Sequence, residues 1–338
     1  MRQVPLKFDQ SQSFLILRKT DQGPRTSSSE SASQLLEFSR YQKARISLIM
    51  STSTITTETK APTSASQKID KKLGIKTVPF ILMHLACLAV IFTGISLPAV
   101  LLCIGLYLVR MWGLTAGYHR YFSHRSYKTS RGFQFLLALL GTTAAQKGPL
   151  WWAAHHRRHH KYTDQEGDVH SPRQNGFWWS HVGWVVSDMY DATDWEAIKD
   201  FSRYPELRWL NRWHLIPPVV LGALCFFALG WQGLVVGFFT STVILYHGTF
   251  SINSLAHMWG SRRYKTGDDS RNNLWLALLT GGEGWHNNHH HYMASARQGF
   301  YWWEIDYSYY VLRVLSLLRV VWDLRRPPAH LFTATEVD

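Results

Sequence analysis

Four long apolar runs interrupt an otherwise polar chain. They cover about residues 78–94 (VPFILMHLACLAVIFTG), 97–118, 215–230 and 233–250. Each is near the length that crosses a ~30 Å hydrocarbon layer at ~1.5 Å per helical residue. They come in pairs: only Ile95 and Ser96 separate the first two, and only Trp231 and Gln232 separate the last two. The pattern predicts four transmembrane helices in two hairpins. Three shorter apolar stretches, at 133–145, 274–279 and 309–321, suit helices that lie in the membrane interface. The expected fold class is an all-α membrane protein, with a helical cap built from the segments outside the hairpins.

Charge sets the orientation. The two short connections carry no Lys or Arg, whereas Lys68, Lys71, Lys72 and Lys76 precede the first run, and 119–214 and 251–338 are rich in both. The positive-inside rule then puts both termini and the long middle segment in the cytoplasm. The net charge of +13 fits a bilayer surface or an anionic lipid-like substrate, and no nucleic-acid-binding motif accompanies it. Aromatic residues make up 14% of the chain, with 16 Trp, as membrane-interface anchoring requires. Arg110 interrupts the second run, and a charge at that depth needs a helix end or a partner inside the bundle.

Residues 1–75 differ from the rest. They are rich in Ser, Thr, Gln and Lys and lack an apolar face, so they are expected to be disordered. Met50 opens a run that would make an ordinary N-terminus, so 1–49 is alternatively an upstream extension or a transit peptide; Asp9, Asp21, Glu30 and Glu37 argue against the last. Cys87, Cys103 and Cys225 lie in apolar runs, far apart, and read as buried small residues rather than a disulfide or metal framework.

Seventeen histidines carry the chemistry. One group is His119–His124 (HRYFSH), a second is HHRRHH at 155–160, a third is HNNHHH at 286–291, and His257 follows Asn253 by four residues. Helical residues three and four apart share a face, so His156, His159 and His160 can point one way, as can His286, His289 and His290. All lie on the expected cytoplasmic side. Single histidines such as His84, His214, His247 and His330 read as ordinary surface or core residues. Three clusters do not, because so many protonatable rings packed together need a common partner. His155, His170, His181 and His291 stay open as neighbours of the ligands. About nine imidazoles with no nearby Cys exceed one zinc site and suit two metal ions. Haem takes one or two histidines, and the Glu-rich motif of soluble di-iron bundles is missing. An all-histidine di-iron site under the membrane remains.

GLTAGYHRYFSH (113–124), HRRHH (156–160), NSLAH (253–257) and EGWHNNHH (283–290), with GDVHSPR (167–173) and SHVGW (180–184), resemble the integral-membrane fatty acyl desaturases of the stearoyl-type Δ9 group. The resemblance covers about 75–325, which sets a desaturase domain at 76–325 and a tail at 326–338. It implies one iron held by His119, His124, His156, His160 and His290. It implies a second held by His159, His257, His286 and His289, with Asn253 reached through water. It also implies O₂ as co-substrate, two external electrons from a separate ferredoxin or cytochrome b5 type donor, and a cis double bond in a C16–C18 acyl chain. The acyl-CoA members of the family carry charged residues where this chain has Ala154–His155, and basic ones where it has Ser187–Asp188, so the carrier is either acyl-CoA or a membrane lipid.

Two rival classes are a membrane zinc hydrolase, whose His-Glu-x-x-His signature is absent, and a non-catalytic metal or haem carrier. Within oxygen chemistry the nearest alternative is a di-iron lipid hydroxylase.

Overall fold

A computed structural model of the chain describes residues 73–333. The expectations for the N-terminal extension fall on residues outside that range except at 73–75, where Gly74 N donates to the Val186 carbonyl at 3.0 Å. The described chain is mostly helical, with one two-stranded ribbon.

Helix α1 (Thr77–Thr93) runs into Gly94, whose φ of 68° stops it. After Ser96 the chain turns back as α2 (Leu97–Ser123), with Pro98 in the first turn where its missing N–H costs nothing. The third and fourth runs form one apolar helix, α6 (Ile216–His257), that folds back on itself. The break lies at Leu229 (φ −136°, ψ 21°) and Gly230 (φ 59°, ψ −146°). The sequence pattern put the turn at Trp231–Gln232, but only the glycine tolerates a positive φ. Gly233 then lets the arms close up, since a Cβ there would lie 2.0 Å from the Cys225 carbonyl oxygen. The two turns sit side by side: Gln232 Nε2 donates to the Thr93 carbonyl at 2.8 Å.

By length and composition α2 and α6 are able to cross a membrane, and α1 is a shorter apolar helix. Only 28% of the apolar window of either long helix is buried. Leu85, Leu88, Phe92, Leu101, Ile104 and Phe227 all face outward. A soluble core helix would hide such side chains; these suit a hydrocarbon solvent.

The character of α2 changes at Gly113. From there to Ser123 it winds wider, as a π-helix, and every residue is buried. Helix α3 (Arg131–Thr142), capped by Ser130, packs on this part; a Cβ at Gly113 would lie 2.7 Å from Leu140 Cγ. Helices α4 (Pro149–Tyr162) and α5 (Pro205–Arg212) complete the layer beside it. Helix α7 (Leu274–Thr280) is capped by Asn273 and ended by Gly281 in the left-handed conformation. Helix α8 (His286–His291) follows, and α9 (Tyr307–Leu317) is capped by Asp306. The apolar pattern at 309–321 predicts helix throughout. Its end instead leaves α9 and pairs Val321–Trp322 with Lys128–Thr129 as an antiparallel ribbon.

Arg110 lies inside the bundle. It donates to Thr242 Oγ1 at 2.7 Å, Ser241 Oγ at 2.5 Å and the Leu106 carbonyl at 3.1 Å, so it ties α2 to α6 and touches no histidine of the clusters.

Candidate metal centre

Four segments meet at the ends of α2 and α6 opposite the turns. The wide winding of α2 presents His119, and His124 follows at its end. A π-helical stretch is costlier than an α-helix and recurs at functional sites. Helix α4 offers His156, His159 and His160; the end of α6 offers His257; the six-residue α8 offers His286, His289 and His290.

Their nitrogens fall into two sets. His119, His124, His156, His160 and His289 form one, His159, His257, His286 and His290 the other, and within each set the ligand atoms lie within 4.8 Å of one another. In the first set His119 Nε2 is 3.0 Å from His289 Nε2, His124 Nε2 is 2.9 Å from His156 Nε2, and His289 Nε2 is 2.9 Å from His160 Nε2. In the second, His257 Nε2 is 3.1 Å from His286 Nε2, while His290 Nε2 is buried without a hydrogen-bond partner.

The family resemblance implies a different division, with His290 in the first set and His289 in the second. Consecutive residues of a helix point about 100° apart, so the two rings serve opposite sides. His289 looks toward His119 and His160. His290 is turned the other way by its Nδ1, which donates to Asp268 at 2.9 Å. The nine residues themselves are all brought together.

Carboxylates fix four of the rings. His119 Nδ1 lies 2.5 Å from Glu283, His159 Nδ1 3.1 Å from Asp168, His257 Nδ1 2.9 Å from Asp164 and His290 Nδ1 2.9 Å from Asp268. A proton held on Nδ1 leaves the Nε2 lone pair free to bind a metal. Glu283 is itself held by Arg120, which is fully buried and also pairs with Asp306 at 2.9 Å. These carboxylates escaped the sequence reading. Their signal was present: acidic residues in the turns TDQEGD and TGDDS and in GEGW, at positions where histidine ligands need an acceptor.

Burial, reinforced by neighbouring imidazoles, holds His124, His156, His160, His286 and His289 well below the ordinary histidine range. They are therefore neutral at pH 7 and carry lone pairs. Burial would raise the Asp164 carboxyl, but His257 and Ser171 bring it down to about 2. Asp168 and Asp268 are held low in the same way by His159 and His290. Neutral rings backed by ionised carboxylates make a donor set suited to a divalent transition metal. The crowding fits two ions, one per set.

The remaining histidines separate. His170 stacks against His159 at 4.3 Å and shares Asp168, so His159, Asp168 and His170 form a third donor group. His155 turns from the cluster to the Tyr190 carbonyl, 3.0 Å away. His291 stacks on Tyr264. His84, His247 and His181 make a hydrogen-bonded row of their own, with N···N distances of 3.0 Å. His214 Nδ1 lies 3.3 Å from the Asn211 carbonyl. Asn253 borders a small pocket with His159 and His286. Of the three free cysteines Cys103 and Cys225 are buried and Cys87 half-buried, none in the site.

A cavity of about 460 Å³, lined largely by Phe80, Met83, Trp151, Trp152, Tyr246 and Phe250, runs up to His156, His170 and Asn253. A metal-binding pole at the end of an apolar cavity in a membrane-facing fold suits chemistry on an unactivated alkyl chain. Comparison with known proteins gives the same answer. The family model for fatty acid desaturase matches residues 95–317. The sn-1 stearoyl-lipid 9-desaturase of Anabaena variabilis is 37% identical over 258 residues, 74% of this chain and 93% of that one. The Delta-9 acyl-lipid desaturase 1 of Arabidopsis thaliana is 36% identical over 261 residues, 76% of this chain and 85% of that one. Acyl-CoA 5-desaturase AL21 of Anemone leveillei is 38% identical over 249 residues, 72% of this chain and 77% of that one. With the histidine sets, the cavity and the match in agreement, the chain belongs to the fatty acid desaturase family and is an oxidoreductase that introduces a double bond into a fatty acyl chain.

Proposed function

We propose that the enzyme places a cis double bond at Δ9 of a C16–C18 acyl chain, using two irons held by the nine convergent histidines. The observation that carries this reading is the pair of abutting nitrogen sets at the end of the apolar cavity. His119, His124, His156, His160 and His289 would hold one iron, and His159, His257, His286 and His290 the other, with Asn253 reaching the second through water. When bound, the irons supply activation of O₂ with two electrons from a separate ferredoxin or cytochrome b5 type donor. Glu283, Asp164, Asp168 and Asp268 keep their rings in the metal-binding tautomer. Trp152, Thr249 and Asn253 border both the cavity and the histidine pocket, so they set which carbon pair stands nearest the metals and keep bulk water out.

The Δ9 position is supported by the names of the Anabaena and Arabidopsis relatives; the Anemone relative is named a 5-desaturase. In this reading α1, α2 and the two arms of α6 are four membrane spans, and the cap and both termini are cytoplasmic. Expression in a host lacking its own desaturase, with gas chromatography of the fatty esters, tests activity and position together. Iron analysis of the purified protein should give two per chain. A double bond elsewhere overturns Δ9, and a single iron overturns the two-set reading.

A further inference from the structure

The cavity does more than end at the histidines; it opens sideways. Its inner wall is Trp152, Thr249 and Asn253. At its other end Pro79, Leu215 and Val219 line it while also lying exposed on the outer surface. The return arm of α6 is held to α1 by the His84–His247 contact, so the opening lies between α1 and the first arm of α6. The two helices are joined near the turns by the Gln232–Thr93 hydrogen bond. Toward Lys76 and Leu215 the cavity lies between them. Val78, Leu82 and Val220 beside the opening are exposed apolar residues. The gap is thus bordered by exposed apolar side chains, a surface that suits the acyl chains of a bilayer better than water.

The rim above the gap is charged but balanced. Lys76 and Lys147 line the cavity. Lys76 Nζ lies 2.8 Å from Asp191 and 3.7 Å from Asp188, and Lys147 also pairs with Asp191. Two cations therefore face two carboxylates, and this pair offers no spare positive charge to a polyphosphate head. A neutral or zwitterionic head meets no electrostatic obstacle there.

We propose that the acyl chain enters laterally through the α1–α6 cleft while still esterified to a membrane glycerolipid of uncharged or zwitterionic head, which rests on the Lys76–Asp191 rim. This names the acyl carrier and rests on the desaturase reading above. Val219 and Pro79 are the gateposts, and Asp191 is the residue that selects against a polyphosphate carrier.

The test reads binding, not turnover. The full chain is placed in phosphatidylcholine nanodiscs containing a phosphatidylcholine with a mid-chain diazirine, or is given a stearoyl-CoA analogue with the same diazirine. After photolysis, peptides spanning 149–156 and 246–253 are searched for label. The lipid probe should label them without added coenzyme A. Val219→Trp should lower that labelling about fivefold or more, while Leu101→Trp, a lipid-facing change away from the cleft, should leave it unchanged and controls for folding. Asp191→Asn should raise labelling by the coenzyme A probe. If only the coenzyme A probe reaches these peptides, and Val219→Trp has no effect, the lateral route is wrong and the desaturase reading survives. If neither probe reaches them, the cavity is not the acyl site and both readings fall.

Discussion

The protein holds two histidine networks built from the same side chain to opposite ends. In the cap, nine rings crowd their nitrogens into two sets, and four of them hand their Nδ1 protons to carboxylates. Beside the apolar helices, His84, His247 and His181 form a row. His84 Nδ1 bonds the Phe80 carbonyl, His84 Nε2 meets His247 Nε2, His247 Nδ1 meets His181 Nε2, and His181 Nδ1 meets Ser254 Oγ. Every nitrogen of that row is used. Among the described residues no carboxylate stands behind it, and its nitrogens meet in pairs rather than in a set of three or more. The difference teaches that a histidine becomes a ligand through what holds its far nitrogen, and that a ring satisfied on both sides serves as a clip between helices.

The comparison breaks most sharply at the ligands. Replacing His159 or His289 with Ala should reduce iron content and abolish the unsaturated product, a loss of about 100-fold or more, at matched protein levels in the membrane. Normal iron and product in either variant would remove that residue from its set. The carboxylate layer should show the next largest effect. Asp268→Asn or Glu283→Gln should cost about 10–100-fold in iron affinity or activity, as losses of such orienting partners do. Metal titration of the purified variants checks this, and wild-type affinity would show that the carboxylates do not hold the rings.

Acid should destabilise the cap. The depressed rings of His124, His156, His160, His286 and His289 stay neutral in the folded, metal-free protein. In the unfolded chain they take up protons below about pH 6.5. The unfolded state then binds more protons, so stability is full above that pH and falls as pH drops. Each such ring contributes a slope of up to about 1.4 kcal/mol per pH unit. Thermal unfolding of the metal-free protein from pH 7.5 to 5 should show a steep fall. A flat profile would mean that the rings are not buried as neutral groups.

The clip should matter least to chemistry. His247→Phe should keep two irons and product within about threefold of wild type, and lower stability by about 1–3 kcal/mol because partners lose a hydrogen bond. His155→Ala and His291→Ala should likewise retain both irons. If His247→Phe emptied the centre, the separation of the two networks would be wrong.

Much was determined by the sequence alone. Apolar runs of membrane-crossing length, paired across two-residue gaps, set out the hairpins, and the i, i+3, i+4 spacing of His156, His159, His160, His286, His289 and His290 marked rings that the fold brings together. These are local signals, and local periodicity survives in a string of letters. The tertiary structure decided what depends on segments far apart in the chain. It moved the second turn to Gly230, where backbone conformation rather than hydropathy rules. It set His289 beside His119 and His160 and His290 beside Asp268, because the tilt of α8 against its neighbours cannot be read from spacing. It found Asp164, nearly a hundred residues from the His257 it supports, since a carboxylate shows its purpose only when a ring is packed against it.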